Sequence, residues 1–263
     1  LKQTCGYNQY EIIVVDDGSS EITDNTYGVV TEFLNKFSGS IKYLRQEPRG
    51  PAAACNLGIK IARGEIVLFT GDDIIPTPNL IKEHINFHNR YPEPNVAMLG
   101  LVTKSPDIPQ SYFMKWLEES GIQFAFSRLT DSQEVSYTLF YSSNISLKRK
   151  FLLKFGLFDE EFPYAVWEDI ELGYRLSKAG LKIIYNQKAV GYHYHLASQK
   201  SYNGRSERAG YSSALLHKKH PELRGGPYRG SYLQLEIYLW WLHSVIHTAG
   251  ILAKPLALLL HNE

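Results

Sequence analysis

The chain has 263 residues, 44% of them hydrophobic and 21% charged, with a formal net charge of +1. That is enough apolar sequence for a real core, and too little net charge to point to nucleic acid or another polyanion. Only Cys5 and Cys55 are present, which excludes a disulfide framework and zinc-finger spacing and fits a reducing compartment.

No signal peptide is visible. Leu1-Lys-Gln-Thr4 reads as the end of a helix, and without an initiator Met the chain is expected to be a fragment. Tyr10-Glu-Ile-Ile-Val-Val15 is a β-branched run expected to form a buried strand, and it ends in Asp16-Asp17-Gly18-Ser19. Asp24 offers an N-cap, and Val29, Val30, Phe33, Leu34 and Phe37 recur at helical spacing up to Gly39. Ile41–Leu44 is a second short strand. After a loop from Arg45 to Gly50, Pro51 opens a helix that runs to Arg63.

Glu65–Thr70 is the third strand, and it leads into Gly71-Asp72-Asp73. Adjacent carboxylates repel, and a hard divalent cation on their oxygens relieves the repulsion. The plain alternative is a polar loop that caps the helix expected over Leu80–Asn89. Val96–Val102 is a fourth strand, with Gly100 inside it. The β-α-β-α-β-α-β alternation predicts an α/β fold with a parallel, helix-covered sheet. In such a sheet both Asp-Asp pairs face the same way, and four carboxylates line one crevice.

Tyr112, Phe113, Trp116 and Leu117 make an aromatic helical face, read either as core packing or as an acceptor-contacting surface. Thr138–Leu147 alternates like a strand, and Lys148–Phe155 is a short helix ended by Gly156. Glu168 and Asp169 fall in the first turn of the next helix, where the helix dipole favours acids. A base aimed into the crevice is the second reading of that pair. Gly180 ends this helix, and Leu181–Tyr185 is another strand. Ala189–His195 alternates, so His193 and His195 share a face and are candidate metal ligands. Ser206–His220 is helical, and Gly225-Gly226-Pro227 marks a boundary. Tyr232–Leu260 is long and apolar but carries Glu236, His243, His247, Lys254 and Pro255. It reads as an amphipathic helix, docked or lying at a membrane surface, rather than as a span.

Five stretches, in order, resemble the family 2 glycosyltransferases. They are Glu11–Ser19, Arg49–Gly58, Gly64–Asp73, Asn144–Lys148 and Phe158–Leu176 with its Trp-Glu-Asp core. The resemblance covers residues 1 to about 200. It implies the GT-A (nucleotide-diphospho-sugar transferase) fold, a mostly parallel central sheet with helices on both faces, here without the family's first strand. With the boundary at Gly225-Gly226-Pro227, the chain is expected to divide into a GT-A domain over residues 1–230 and a C-terminal apolar or amphipathic helical segment over 231–263. The resemblance also implies an inverting enzyme that moves a sugar from a nucleotide-diphosphate donor, UDP-sugar favoured, to a glycan or lipid-linked acceptor.

By the same resemblance Asp169 is the acceptor base, with Glu168 as a secondary candidate. Asp16, Asp17, Arg49, Asn56 and Asp72 bind the donor. Asp72, Asp73 and His193 hold Mn²⁺ or Mg²⁺, with His195 the secondary ligand. The implied setting is cell-surface polysaccharide synthesis in the cytoplasm, at the inner face of the membrane through the C-terminal segment.

There are departures from the family pattern. Thr70 replaces the first acid of the usual Asp-x-Asp, and Cys55 stands where Arg is frequent. No Gln-x-x-Arg-Trp follows, which points to transfer of one or a few sugars rather than processive synthesis. Two other classes remain open: a nucleotidyltransferase, and a non-catalytic module that binds sugar nucleotides or glycans.

Overall fold

The computed structural model describes residues 2–20, 24–37, 39–121 and 123–225. The expected segment 231–263 therefore lies outside the described residues. The chain divides into two compact units, Leu1–Ser213 and Ala214–Glu263.

The first unit begins with β1 (Ile12–Asp16), α1 (Thr26–Lys36) and β2 (Ile41–Arg45). β1 and β2 pair in parallel, Ile12 opposite Ile41 through Asp16 opposite Arg45. α2 (Pro51–Ile61) follows, with Gly50 at φ +89° before a proline at the first helical position. The positive φ favours glycine, and the missing N–H of Pro51 leaves no orphan donor. Ala52 and Ala53 are buried, and a Cβ on Gly58 would lie 3.6 Å from Val15 Cγ2. Small residues thus let α2 lie close against β1.

β3 (Ile66–Thr70), β4 (Ile74–Pro76), α3 (Leu80–Arg90), β5 (Val96–Lys104) and α4 (Tyr112–Ser120) follow. Then come β6 (Glu134–Val135), β7 (Asn144–Lys148), α5 (Arg149–Phe155), α6 (Glu168–Lys178), β8 (Lys182–His193) and the start of α7 (Gln199–Lys219). A six-stranded sheet runs in the order β3-β7-β5-β8-β4, with β6 beside β8. It is mixed. β5 and β8 are parallel, while β3–β7, β5–β7, β4–β8 and β6–β8 are antiparallel. Among the described residues no ladder joins β1–β2 to this sheet, so the two Asp-Asp pairs end strands of different sheets.

The core lies between the six-stranded sheet and helices α5 and α6. Leu99, Ile145, Leu147, Leu152, Leu172 and Leu176 are fully buried in it. Each such side chain stabilises the fold by about 1.5–3 kcal/mol relative to exposure. Phe69 at the end of β3 meets Phe158 edge-on, centroids 5.3 Å apart, which docks the loop before α6 against the acid-bearing strand.

Several local expectations change. The strand expected over 138–147 begins only at Asn144, and Tyr137–Leu139 is a 3-10 turn packed on α6. Gly173 permits this: a Cβ there would lie 2.6 Å from Phe140 Cβ and 2.9 Å from the Tyr137 carbonyl. Of the expected aromatic face, Leu117 is buried as core packing requires but Tyr112 is 95% exposed, and α4 also buries Met114. The two runs read as separate strands after Gly180 are one strand, β8, interrupted by a bulge. Of the second unit, the described residues finish α7 and form a 3-10 turn, Pro221–Gly225, where His220 lies 3.7 Å from Glu222.

Candidate active site

Three groups of polar side chains surround the carboxyl ends of β1 and β3 and the start of α6. The first is at the end of β1. Asp16 is 5% exposed, and its two oxygens accept from the Tyr43 hydroxyl at 2.6 Å and the Ser19 amide at 2.7 Å. The Tyr43 hydrogen bond leads the causes that bring its pKa down to about 2. Asp17 accepts from Gln46 Nε2 (2.7 Å), the Arg49 amide (2.9 Å) and the Gly50 amide (2.7 Å), and so clamps the loop that opens α2. Arg49 donates to Glu160 at 2.6 Å. Asn56 is buried on α2. It donates to the Phe158 carbonyl and to Glu160 Oε1, both at 2.9 Å, and accepts from the Phe158 amide at 2.9 Å. Its amide is fully used inside the protein, holding the 158–160 loop.

The second group forms where β4 returns antiparallel along β8. Ile74 stands opposite His193, which brings the turn at Asp73 to the end of β8. Asp73 is half-buried, and its Oδ2 lies 2.9 Å from His193 Nε2 and 4.0 Å from His195 Nδ1. One ligand atom from each of Asp73, His193 and His195 lies within 4.8 Å of the others. The two imidazoles stack, centroids 5.4 Å apart at 12°, and the His193 ring meets Phe124 edge-on at 5.8 Å. Hydrogen bonding to His193 lowers the Asp73 pKa. The Tyr194 amide donates to the Asp73 carbonyl at 2.7 Å, which ties the turn to the strand end. Asp72 is exposed beside it.

One carboxylate and two imidazoles form a mixed oxygen–nitrogen donor set. Imidazole and carboxylate together suit a divalent transition metal, so the residues present fit a divalent cation of that kind. A cavity of about 330 Å³ opens beside His193 and His195, walled by Thr103, Lys104, Leu117 and Phe124.

The third group sits at the start of α6. The chain enters this helix through Trp167 at φ +75°, left-handed backbone of the kind found where a site constrains it. Asp169 accepts from the Ile170 amide at 2.8 Å and, weakly, from the Ser142 amide at 3.4 Å. Burial raises its pKa. Glu168 is 5% exposed, and its Oε2 has no hydrogen-bond partner. Burial, and then the neighbouring Asp169 charge, push its pKa well above the usual carboxylate range. The Arg205 guanidinium on α7 acts on both acids in the opposite direction. Cys55 on α2 faces the same acids, and its thiol is pushed up to about 12, chiefly by burial.

Strand pairing links the second and third groups. Thr70, the last residue of β3, stands opposite Asn144, the first residue of β7. Ser142, two residues earlier, is the one whose amide reaches Asp169. The acid turn and the helix-borne acid therefore flank the same pair of strand ends. The structure brings Asp73, His193 and His195 together, and joins Asp17 to the Arg49 and Gly50 amides. It gives Asp16 and Asn56 internal partners. Sequence reasoning missed Glu160, Tyr43 and Arg205. Nothing near Asn56 in the sequence gave a hint of Glu160, because that contact spans 104 residues.

The model of glycosyl transferase family 2 matches residues 1–153. A validoxylamine A glucosyltransferase of Streptomyces hygroscopicus subsp. jinggangensis is 28% identical over 254 residues, covering 84% of this chain and 56% of the relative. The chain thus spans a little over half the length of that relative. Among solved structures, the mannosyltransferase PcManGT from Pyrobaculum calidifontis, in complex with GDP-Man and Mn²⁺, has a TM-score of 0.59 at 20% identity, covering 84% of this chain and 57% of that one. S. aureus TarS in complex with UDP-GlcNAc has a TM-score of 0.56 at 22% identity, covering 75% and 53%.

Proposed function

The chain belongs to glycosyl transferase family 2 with a GT-A fold, and from that premise we propose that it is an inverting glycosyltransferase using a nucleotide-diphosphate sugar. The observation that carries the reading is the Asp73–His193–His195 cluster at one strand end, with Asp169 beside the adjacent strand end. Asp73, His193 and His195, with Asp72 adjacent, would hold a divalent cation, which would supply charge neutralisation for the departing diphosphate.

The chain's own residues account for the remaining steps. Asp169 takes the proton of the acceptor hydroxyl as that oxygen bonds to the anomeric carbon and the bond to the diphosphate breaks. A single displacement of this kind inverts the anomeric centre. The role suits a carboxyl with a raised pKa and only a weak bond on Oδ2, because a base works best near the operating pH. Glu168, buried and raised beside it, keeps the pair from carrying two full charges. Asp17 and Arg49 are the proposed nucleoside contacts. Asp16 and Asn56 act one step back, by fixing the loops that carry them.

The acceptor is proposed to be a glycan or a lipid-linked sugar. Membrane contact through residues 231–263 rests on the apolar run in the sequence alone.

The test is calorimetric titration of UDP and of GDP with and without Mn²⁺, on the unaltered chain and on Asp169→Asn, followed by donor-hydrolysis assays. The expected result is Mn²⁺-dependent binding of one nucleotide by both proteins, with turnover lost only in the variant. Equal turnover in the two removes Asp169 from the role of base. Binding without any turnover in the unaltered protein favours a binding module.

A further inference from the structure

Beneath the cluster lies a chain of buried polar side chains that the proposed chemistry leaves unused. Asn144, Ser146, His84 and His88 are each less than 5% exposed. Asn144 Nδ2 donates to the Leu101 carbonyl at 3.0 Å and the Ala189 carbonyl at 2.9 Å. Its Oδ1 therefore faces His84 Nε2, 3.0 Å away, and that nitrogen carries the proton. His84 Nδ1 then accepts from the Ser146 hydroxyl at 2.7 Å, and Ser146 accepts from His88 Nε2 at 2.8 Å. Both imidazoles are neutral in this arrangement. Burial pulls His84 down to about 4 and His88 to about 3.

The two carbonyls that Asn144 binds sit one on each strand, where pairing resumes after the bulge between β5 and β8. Gly100 pairs with Asn186, but the next residue, Leu101, pairs with Val190. Gln187, Lys188 and Ala189 thus have no partner on β5, and the Ala189 carbonyl is freed from the ladder. The bulge sets the register of Val190–His193. A slip of one residue would turn His193 to the opposite face and put a tyrosine in its place. Gly100 makes room for this: a Cβ there would lie 2.4 Å from Asn144 Nδ2 and 2.6 Å from the Ala189 carbonyl.

We infer that Asn144, locked by His84, is a positioning residue that holds the β8 bulge and thereby aims His193 at Asp73. The inference rests on the reading of Asp73, His193 and His195 as a divalent-cation site. Partners of metal ligands that do not touch the metal commonly change its affinity 10- to 100-fold. Here the influence runs through strand register rather than a direct bond to the ligand.

The test is a double-mutant cycle read as Mn²⁺ affinity in the presence of UDP, using Asn144→Ala, His193→Asn and the pair together. Asn144→Ala is expected to weaken Mn²⁺ binding about tenfold in the unaltered background and less than about twofold beside His193→Asn, because the two changes act through one ligand. Equal losses in both backgrounds overturn the positioning role and leave the metal site standing. No Mn²⁺ binding by the unaltered protein overturns the metal reading and this inference with it. If Asn144→Ala does not fold, His84→Gln and His84→Leu replace it. Retained affinity in the first, which keeps a donor for Asn144 Oδ1, and lost affinity in the second supports the inference. Equal affinities overturn it.

Discussion

Asp16-Asp17 and Asp72-Asp73 are the same dipeptide at the end of the same kind of apolar run, and they meet different surroundings. β1 has β2 beside it, and β2 presents Tyr43 to Asp16, while the loop beyond presents the Arg49 and Gly50 amides to Asp17. Those carboxylates accept chiefly from their own protein, with one acceptor position left on Asp17 Oδ2 for the proposed nucleoside contact. The turn after β3 folds back as β4 onto β8, whose end presents two imidazoles to Asp73 and leaves Asp72 exposed. An acid pair thus becomes a scaffold or a ligand set according to the neighbouring strand, which the dipeptide itself does not encode.

The strongest way to break this comparison is to remove one acid from each pair. Asp73→Ala is expected to weaken Mn²⁺-dependent UDP binding by more than about 100-fold, since it removes a ligand rather than a ligand's partner, while the melting temperature changes little. Asp16→Ala is expected to do the reverse. It leaves the half-buried Tyr43 hydroxyl and Ser19 amide without their acceptor, at a cost of about 0.5–1.5 kcal/mol of stability for each lost hydrogen bond, and keeps the Mn²⁺ dependence. Calorimetry and thermal denaturation on both variants decide it. Loss of metal dependence in Asp16→Ala would merge the two pairs into one site.

A pH titration sharpens the scaffold half. Asp16 sits at about 2 in the folded protein, below the ordinary carboxylate value of about 3.9 in the unfolded chain. A depressed carboxylate contributes stability that is fully present above its unfolded pKa and is lost as pH falls towards the folded value. Denaturant midpoints of the unaltered protein should therefore decline between about pH 4 and pH 2, and Asp16→Asn should flatten that limb. Parallel curves for the two proteins would mean that Asp16 carries no ionic role in the fold.

Much of this was legible from residue order. The helices after Pro51 and before Gly180 and the paired histidines of Ala189–His195 follow from punctuation and period, which act locally. What was not legible depends on contacts distant in sequence. The antiparallel entry of β7 between β3 and β5 cannot be read from a β-α-β rhythm, because it depends on pairing with strands far away in sequence. The short β4 was hidden because Ile74-Ile-Pro76 is too brief to show a period. The one clue to the bulge was Gly100 inside an otherwise apolar strand, since a glycine there marks close backbone approach. His84 and His88, four residues apart, share a helix face, yet nothing local revealed Ser146 as their common partner.

The smallest effect separates the two histidines that make the second pair different from the first. His193 ends β8, its side chain is 16% exposed, and Nε2 lies 2.9 Å from Asp73 Oδ2. His195 lies beyond the strand, is 49% exposed, and reaches only to 4.0 Å. A ligand held by a ladder needs little ordering when a cation binds, whereas an exposed one loses side-chain entropy, at a cost of about 0.5–1.5 kcal/mol per immobilised side chain. His193→Ala is therefore expected to weaken Mn²⁺ binding about 100-fold and His195→Ala about 30-fold, measured under identical UDP concentrations. The reverse ranking would move the principal ligand off the strand end. The register of β8 would then matter less to the site than the loop that follows it.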